Sequence, residues 1–152
     1  MKVGGGMKLQ YTVPGNDFTR AGEASGAVKA TLKRLGFPAD SIRRVAIAMY
    51  EGEINMVIHA GGGEAEVEIL PTQITVVLTD NGPGIPDVEK AMTEGFSTAP
   101  ETVRNLGFGA GMGLPNIKKY TDELTIHTEL GKGTRVCMVV RIPPESAVTS
   151  AQ

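Results

Sequence analysis

The segment Ile74-Thr75-Val76-Val77-Leu78-Thr79-Asp80-Asn81-Gly82-Pro83-Gly84 decides how the rest of the chain is read. Ile74 to Leu78 is continuous enough in apolar and β-branched residues to form a central strand. Asp80 to Gly84 is then a turn made of the residue types that turns favour. Just upstream, Ala65, Val67 and Ile69 alternate with glutamates, which predicts a one-sided strand joined to the central one through Pro71-Thr72.

Farther upstream the period changes from two to helical. Ala21, Ala24, Val28, Leu32 and Leu35 predict a helix from a cap at Asp17 to a stop at Gly36. A second helix is expected from Asp40 or Ser41 to His59 or Ala60, before Gly61-Gly62-Gly63. Leu9, Tyr11 and Val13 alternate with polar residues and predict a first strand ending at Pro14-Gly15. Downstream, Gly95 to Gly111 lacks periodicity and reads as a mobile loop. A helix from Leu114 to Tyr120 follows, then strands 124–129 and 134–142 joined by Gly131-Lys132-Gly133. Residues 1–7 are expected to be a flexible leader and 143–152 a disordered tail, leaving one domain at 8–142. The order β-α-α-β-β-loop-α-β-β departs from strict βα alternation. It predicts an α+β fold with helices on one face of a largely antiparallel sheet.

Composition narrows the function. Twenty glycines in 152 residues are about twice the usual ~7% share. A net charge of −2 argues against a general nucleic-acid binder, which carries a basic excess. One cysteine cannot form an internal disulfide and fits a reducing compartment such as the cytoplasm. No apolar run approaches the ~18–20 residues of a membrane span, and no signal-peptide core is present.

Three constellations carry chemistry. On the second helix, Glu51, Asn55 and His59 fall at i, i+4 and i+8, within roughly 80° of arc. Apolar residues flank them: Ile47, Ile54 and Ile58 on one side, Val45, Met49 and Met56 on the other. Taken alone, this stripe is most simply a satisfied polar network or a solvated edge. The sharper reading is a ligand site, with Asn55 offering a hard oxygen to Mg²⁺ and Glu51 acting on a nucleophile. Gly52 beside the stripe costs ~1 kcal/mol of helix propensity, as though something needs room there. The second constellation is the turn at Asp80, whose carboxylate could read an exocyclic amine while glycine admits a flat ring. A plain turn is an equal reading. The third is Gly107-Phe108-Gly109-Ala110-Gly111-Met112-Gly113-Leu114, where alternate glycines and a following helix suit an anion. It matches neither G-x-G-x-x-G nor a P-loop. A flexible loop is its alternative.

In order, Glu51-x-x-x-Asn55-x-x-x-His59, Asp80-x-Gly82-x-Gly84 and Gly109-x-Gly111-x-Gly113 resemble the three nucleotide boxes of the Bergerat-fold (GHKL) ATPases. Thr134 in Gly131-Lys132-Gly133-Thr134 resembles their late Gly-x-Gly-Thr element. Within that superfamily the chain is most similar to small bacterial anti-sigma-factor serine/threonine kinases, including the switch kinase of a stress-signalling module. Gly84-Ile85-Pro86-Asp87, Gly95-Phe96-Ser97-Thr98 and Gly111-Met112-Gly113-Leu114-Pro115 carry that likeness. The resemblance implies a two-layer α/β sandwich with a mixed, mostly antiparallel sheet and an ATP lid at about 94–110. It implies ATP and Mg²⁺ as cofactors, with Asn55 on the metal and Glu51 as catalytic base. By the same resemblance, Asp80 would bind the adenine amine above Gly84, near Gly82. Gly109, Gly111 and Gly113 would cradle phosphates, Ile85, Thr98 and Leu114 would add nucleotide contacts, and Thr134 would support the adenine end. Arg104, in a lid segment longer than the switch kinase's, is a phosphate contact on charge alone or a solvated side chain.

The function so implied is phosphorylation of a STAS-domain antagonist protein by a cytoplasmic serine/threonine kinase. The partner set extends to a sigma factor or a phosphatase and to a homodimer, with no nucleic acid and no membrane. Two alternatives stand beside it: a nucleotide-gated anti-sigma binding module with little turnover, and a detached ATP domain of a histidine kinase. Glu51 ranks the last of these lowest, because histidine-kinase domains usually lack an acid four residues before the Asn.

Overall fold

A computed structural model of the chain describes residues 2–3, 6–15, 18–85, 87–88, 92 and 113–144. Its elements run β1 (Lys2–Val3), β2 (Gly6–Pro14), a 3-10 turn (Phe18–Arg20), α1 (Glu23–Leu35), α2 (Ala39–His59), β3 (Gly62–Ile69) and β4 (Gln73–Asp80). After the glycine-rich stretch come α3 (Gly113–Tyr120), β5 (Glu123–Glu129) and β6 (Gly133–Arg141). Apart from β1, this is the element order expected from the sequence. Lys2 and Val3 pair with Met7 and Gly6, so part of the stretch expected to be a leader takes part in the sheet.

The strands form one sheet in the order β1-β2-β3-β4-β6-β5. Every pairing is antiparallel, so the mixed character expected of the sheet is not found among the described residues. Period-two alternation sends Ala65, Val67 and Ile69 of β3 and Ile74, Val76 and Leu78 of β4 inward, all nearly inaccessible. Their neighbours Glu64, Glu66, Thr75, Val77 and Thr79 occupy the opposite face, which stays partly or wholly exposed. Among the described residues the helices therefore cover one side of the sheet.

The core lies between that inner face and α2, whose Val45, Ala48, Met49, Met56 and Val57 are buried. At Gly52 the helix meets the sheet directly. A Cβ there would strike Cδ1 of Leu78 and lie 3.7 Å from Cδ1 of Ile117 on α3. The room that Gly52 provides is thus filled by the protein's own core. Helix α3 is anchored by Leu114 and Ile117, three residues apart and both buried.

Helix α1 begins later than its apolar period suggests, and Asp17, the expected cap, lies outside the described residues. Its N-cap is Gly22, in left-handed conformation and without a side-chain cap. The capping comes from α2. Glu53, 1% exposed, accepts hydrogen bonds from the backbone N–H groups of Gly22 (3.0 Å), Ala24 (3.1 Å) and Ser25 (3.1 Å). A buried carboxylate thus meets the unsatisfied donors and positive dipole end of a helix. The C-terminus closes as expected at Gly36, with φ +82° and its N–H on the carbonyls of Leu32 and Lys33.

Candidate nucleotide site

The site is built where β4 ends. Asp80 pairs with Thr134 at the ends of β4 and β6. Its Oδ1 accepts the backbone N–H of Gly82 at 2.9 Å and that of Thr134 at 3.1 Å. The first bond closes a turn of the kind Asp favours; the second ties that turn to the final strand. One carboxylate oxygen, Oδ1, is therefore committed to the backbone.

The β5–β6 hairpin packs onto this turn. Gly131 donates its N–H to the carbonyl of Pro83 at 2.9 Å. Gly84 has φ +83°, and a Cβ on it would lie 2.7 Å from the carbonyl oxygen of Glu129. Gly133, at φ +129°, has no room for a Cβ beside the Asp80 carbonyl. A Cβ on Gly82 would come within 2.6 Å of Ala60 at the end of α2. Close protein packing at Gly82 and Gly84, where sequence reading expects a flat ring, and at Gly133 in the hairpin leaves no room for a side chain. Thr134 is buried, and its hydroxyl lies 2.9 Å from that of Thr128. Thr128 Oγ1 accepts the N–H of Ile85 at 2.8 Å. Thr134 thus supports the turn through Asp80 and Thr128.

On α2, Glu51 and Asn55 are half-buried and His59 is exposed at the helix end. The stripe is the partly solvated edge of a buried helix. Burial of part of the His59 imidazole lowers its pKa by disfavouring the charged ring. Glu51 Oε2 accepts a hydrogen bond from Asn116 Nδ2 on α3 at 3.0 Å. On its other side Glu51 borders a groove of about 370 Å³ between α1 and α2, whose walls include Gly26, Lys29, Ile47 and Tyr50.

Mg²⁺ keeps several waters and takes one or two protein ligands beside nucleotide phosphates. Among the described residues no three His, Cys, Asp or Glu side chains gather as a metal cage. A single amide oxygen from Asn55 is the donor such a phosphate-held ion asks of a protein, so the residues present fit it.

Structure thus brings Glu51 and Asn55 onto one helix edge, and hydrogen bonds tie Asp80, Gly82 and Ile85 to Thr134 and Thr128 of the β5–β6 hairpin, with Gly84 packed against Glu129. Gly113 opens α3 and Leu114 is buried in the core. Thr98, Gly109, Gly111, Arg104 and the lid at 94–110 lie outside the described residues. Sequence reading missed Glu53, Asn116 and Thr128, whose partners are 28–31, 65 and 43 residues away for their principal bonds. Only Glu53 left a local trace, as a carboxylate between Gly52 and Ile54 on an apolar helix.

The chain resembles known proteins in sequence and in fold. Residues 16–140 match the family model described as a histidine kinase-like ATPase domain. The serine/threonine-protein kinase RsbT of Bacillus subtilis (strain 168) is 33% identical over 108 residues, covering 68% of this chain and 75% of that protein. An anti-sigma F factor of Clostridium botulinum (strain Eklund 17B / Type B) is 35% identical over 118 residues, covering 74% and 79%. Two solved structures share the fold. The RsbU and RsbW domains of Rv1364c from Mycobacterium tuberculosis give a TM-score of 0.61 at 14% identity, over 90% of this chain and 32% of that longer one. The mycobacterial sensor histidine kinase MprB gives 0.51 at 19% identity, over 91% and 99%. The family model spans most of the chain and the two sequence relatives are each at least 33% identical over two thirds of it or more, so the chain belongs to the histidine kinase-like ATPase domain family.

Proposed function

We propose that this chain is an anti-sigma-type protein serine/threonine kinase. It transfers the γ-phosphoryl group of ATP, with Mg²⁺, to a hydroxyl of a STAS-domain antagonist protein. The observation that carries the reading is Glu51, a half-buried carboxylate held by Asn116 one helical turn before Asn55. Asn55 holds the metal, which neutralises phosphate charge. Asp80 Oδ2 accepts from the adenine amine, with Gly82, Gly84 and Ile85 lining that end and Thr134 bracing it. Phosphate binding falls to Gly109, Gly111 and Gly113, with Thr98 and Leu114 beside them. Glu51 takes the proton of the attacking hydroxyl as its oxygen bonds to phosphorus and ADP leaves. Positioning and charge neutralisation supply most of the rate in such transfers.

The names of the relatives favour this class: one is a serine/threonine-protein kinase and another an anti-sigma F factor. The second name also supports a nucleotide-gated reading, in which the chain captures a sigma factor or acts on a phosphatase with little turnover. A single domain at 8–142 with a lid at 94–110, a cytoplasmic setting and an optional homodimer belong to the same proposal. Among the described residues no helix is long and apolar enough to cross a membrane.

Radiolabelled phosphate transfer from ATP to a purified STAS-domain protein tests the reading. Glu51→Gln is expected to bind ATP as the parent does and to transfer about 10²-fold more slowly or less. Full transfer by that variant removes Glu51 from the role of base. Nucleotide-dependent capture of a partner without its phosphorylation selects the gated reading. Absence of ATP and ADP binding at millimolar concentration rejects both.

A further inference from the structure

Helix α3 is fastened to the core by Leu114 and Ile117, and Cδ1 of Ile117 lies at ordinary contact distance, 3.7 Å, from where a Cβ of Gly52 on α2 would stand. That seating sets Asn116 opposite Glu51, and a 3.0 Å bond from Nδ2 to Oε2 spans the two helices. Asn has poorer helix propensity than Ala, Lys or Glu, so α3 gains nothing locally from carrying it here. Its amide is neutral across the whole working pH range, so it can direct a carboxylate without exchanging a proton with it. A free Glu side chain rotates about three torsions, the last of them broad. One hydrogen bond from a rigidly seated helix removes most of that freedom. The groove between α1 and α2 borders Glu51 as well, leaving the carboxylate held from α3 and approachable from α1.

We propose that Asn116 is a positioning residue for Glu51. It holds Oε2, so that Oε1 is the oxygen presented to the acceptor hydroxyl. In the transfer step the hydroxyl oxygen bonds to the γ-phosphorus and the bond from that phosphorus to the β–γ bridging oxygen breaks. The hydroxyl proton passes to Oε1 and ADP departs, while Asn116 gives up no proton. The inference rests on the kinase reading of Glu51. Asn116 lies three residues after Gly113, so less than one helical turn separates the end of the glycine stretch from the group that aims the base.

The test is a mutant cycle on transfer from radiolabelled ATP to a purified STAS-domain protein, with the parent, Asn116→Ala, Glu51→Gln and the double variant. Asn116→Ala is expected to lower kcat about tenfold, as mispositioning does. KM for the acceptor, nucleotide Kd and the urea midpoint should stay within about twofold of the parent or unchanged. In the Glu51→Gln background the same substitution should cost less than about twofold, because residues acting as a unit are not additive. Asn116→Asp keeps the size but removes the donor and adds a like charge. It should lose more rate than the alanine variant and move the acid limb of the kcat–pH profile upward.

An equal loss from Asn116→Ala in both backgrounds, or an unchanged kcat, overturns the proposal and leaves Asn116 as a link between helices. Parental transfer rates in Glu51→Gln would instead overturn the role of Glu51 itself. A parent protein that phosphorylates no STAS-domain acceptor while binding ATP would remove the kinase reading, and this inference with it.

Discussion

Glu53 is almost wholly buried, yet it carries a group that ordinarily avoids such a place. Its presence is explained by three backbone donors of α1 that have no other side-chain cap. Charge-assisted bonds of this kind are worth more than neutral ones, and a removed partner leaves buried N–H groups unsatisfied. Glu53→Ala is therefore expected to cost about 3 kcal/mol of unfolding free energy in urea. Glu53→Gln keeps one acceptor oxygen and should cost less. A loss below about 0.5 kcal/mol for the alanine variant, that of an ordinary surface change, contradicts the capping role. Glu51 and Asn55 were legible in the sequence because a helical period is local: spacing alone puts both on one edge. Glu53 and Asn116 were not, because their meaning depends on which distant backbone or side chain arrives beside them.

Among the elements, the β5–β6 hairpin was legible and its docking was not. Gly131-Lys132-Gly133 announces a turn, but no local pattern says that the turn lies against Pro83 and Asp80. Likewise the apolar period of α1 marks its body but not its start, since the capping group comes from α2. The hairpin and the Asp80 turn meet through Thr128, whose hydroxyl serves the Ile85 N–H and the Thr134 hydroxyl together. Thr128→Val keeps the shape and removes both bonds. It should lower stability by about 1 kcal/mol in urea, the usual worth of such bonds at a half-buried site. ATP affinity measured by calorimetry should weaken with it, as Ile85 and the turn lose their anchor. A variant with unchanged affinity would separate the hairpin from the nucleotide site. Strand β3 was readable because its open face imposes alternation, as Ala65, Val67 and Ile69 show against the glutamates between them, whereas β4 was readable as a continuous apolar run whose Thr75 and Val77 turn out to face the opposite side.

Over the whole molecule, the proposed nucleotide contacts come from α2, β4, the turn after it, α3 and β6, spread over positions 51 to 134. No short stretch of unfolded chain holds them together, so nucleotide should bind the folded state alone. At a free concentration one hundred times Kd, that linkage adds about 2.7 kcal/mol to stability. For a domain of this size the midpoint of thermal unfolding should rise by roughly 5–10 °C. Asp80→Asn separates the two duties of this residue. The amide retains an oxygen to accept from the Gly82 and Thr134 N–H groups, so the unliganded midpoint should stay within about 2 °C of the parent. The position of Oδ2, however, then holds an NH₂ group, which donates where adenine also donates. The increment from saturating ATP should accordingly shrink to about 1 °C or less at the concentration that saturates the parent. Glu51→Gln, altered only at the proposed reacting end, should retain the full increment. A scan with and without ATP on the three proteins decides the matter. An Asp80→Asn variant that keeps the parental increment would show that its carboxylate serves only the turn, and the adenine end would then have to lie elsewhere on the sheet.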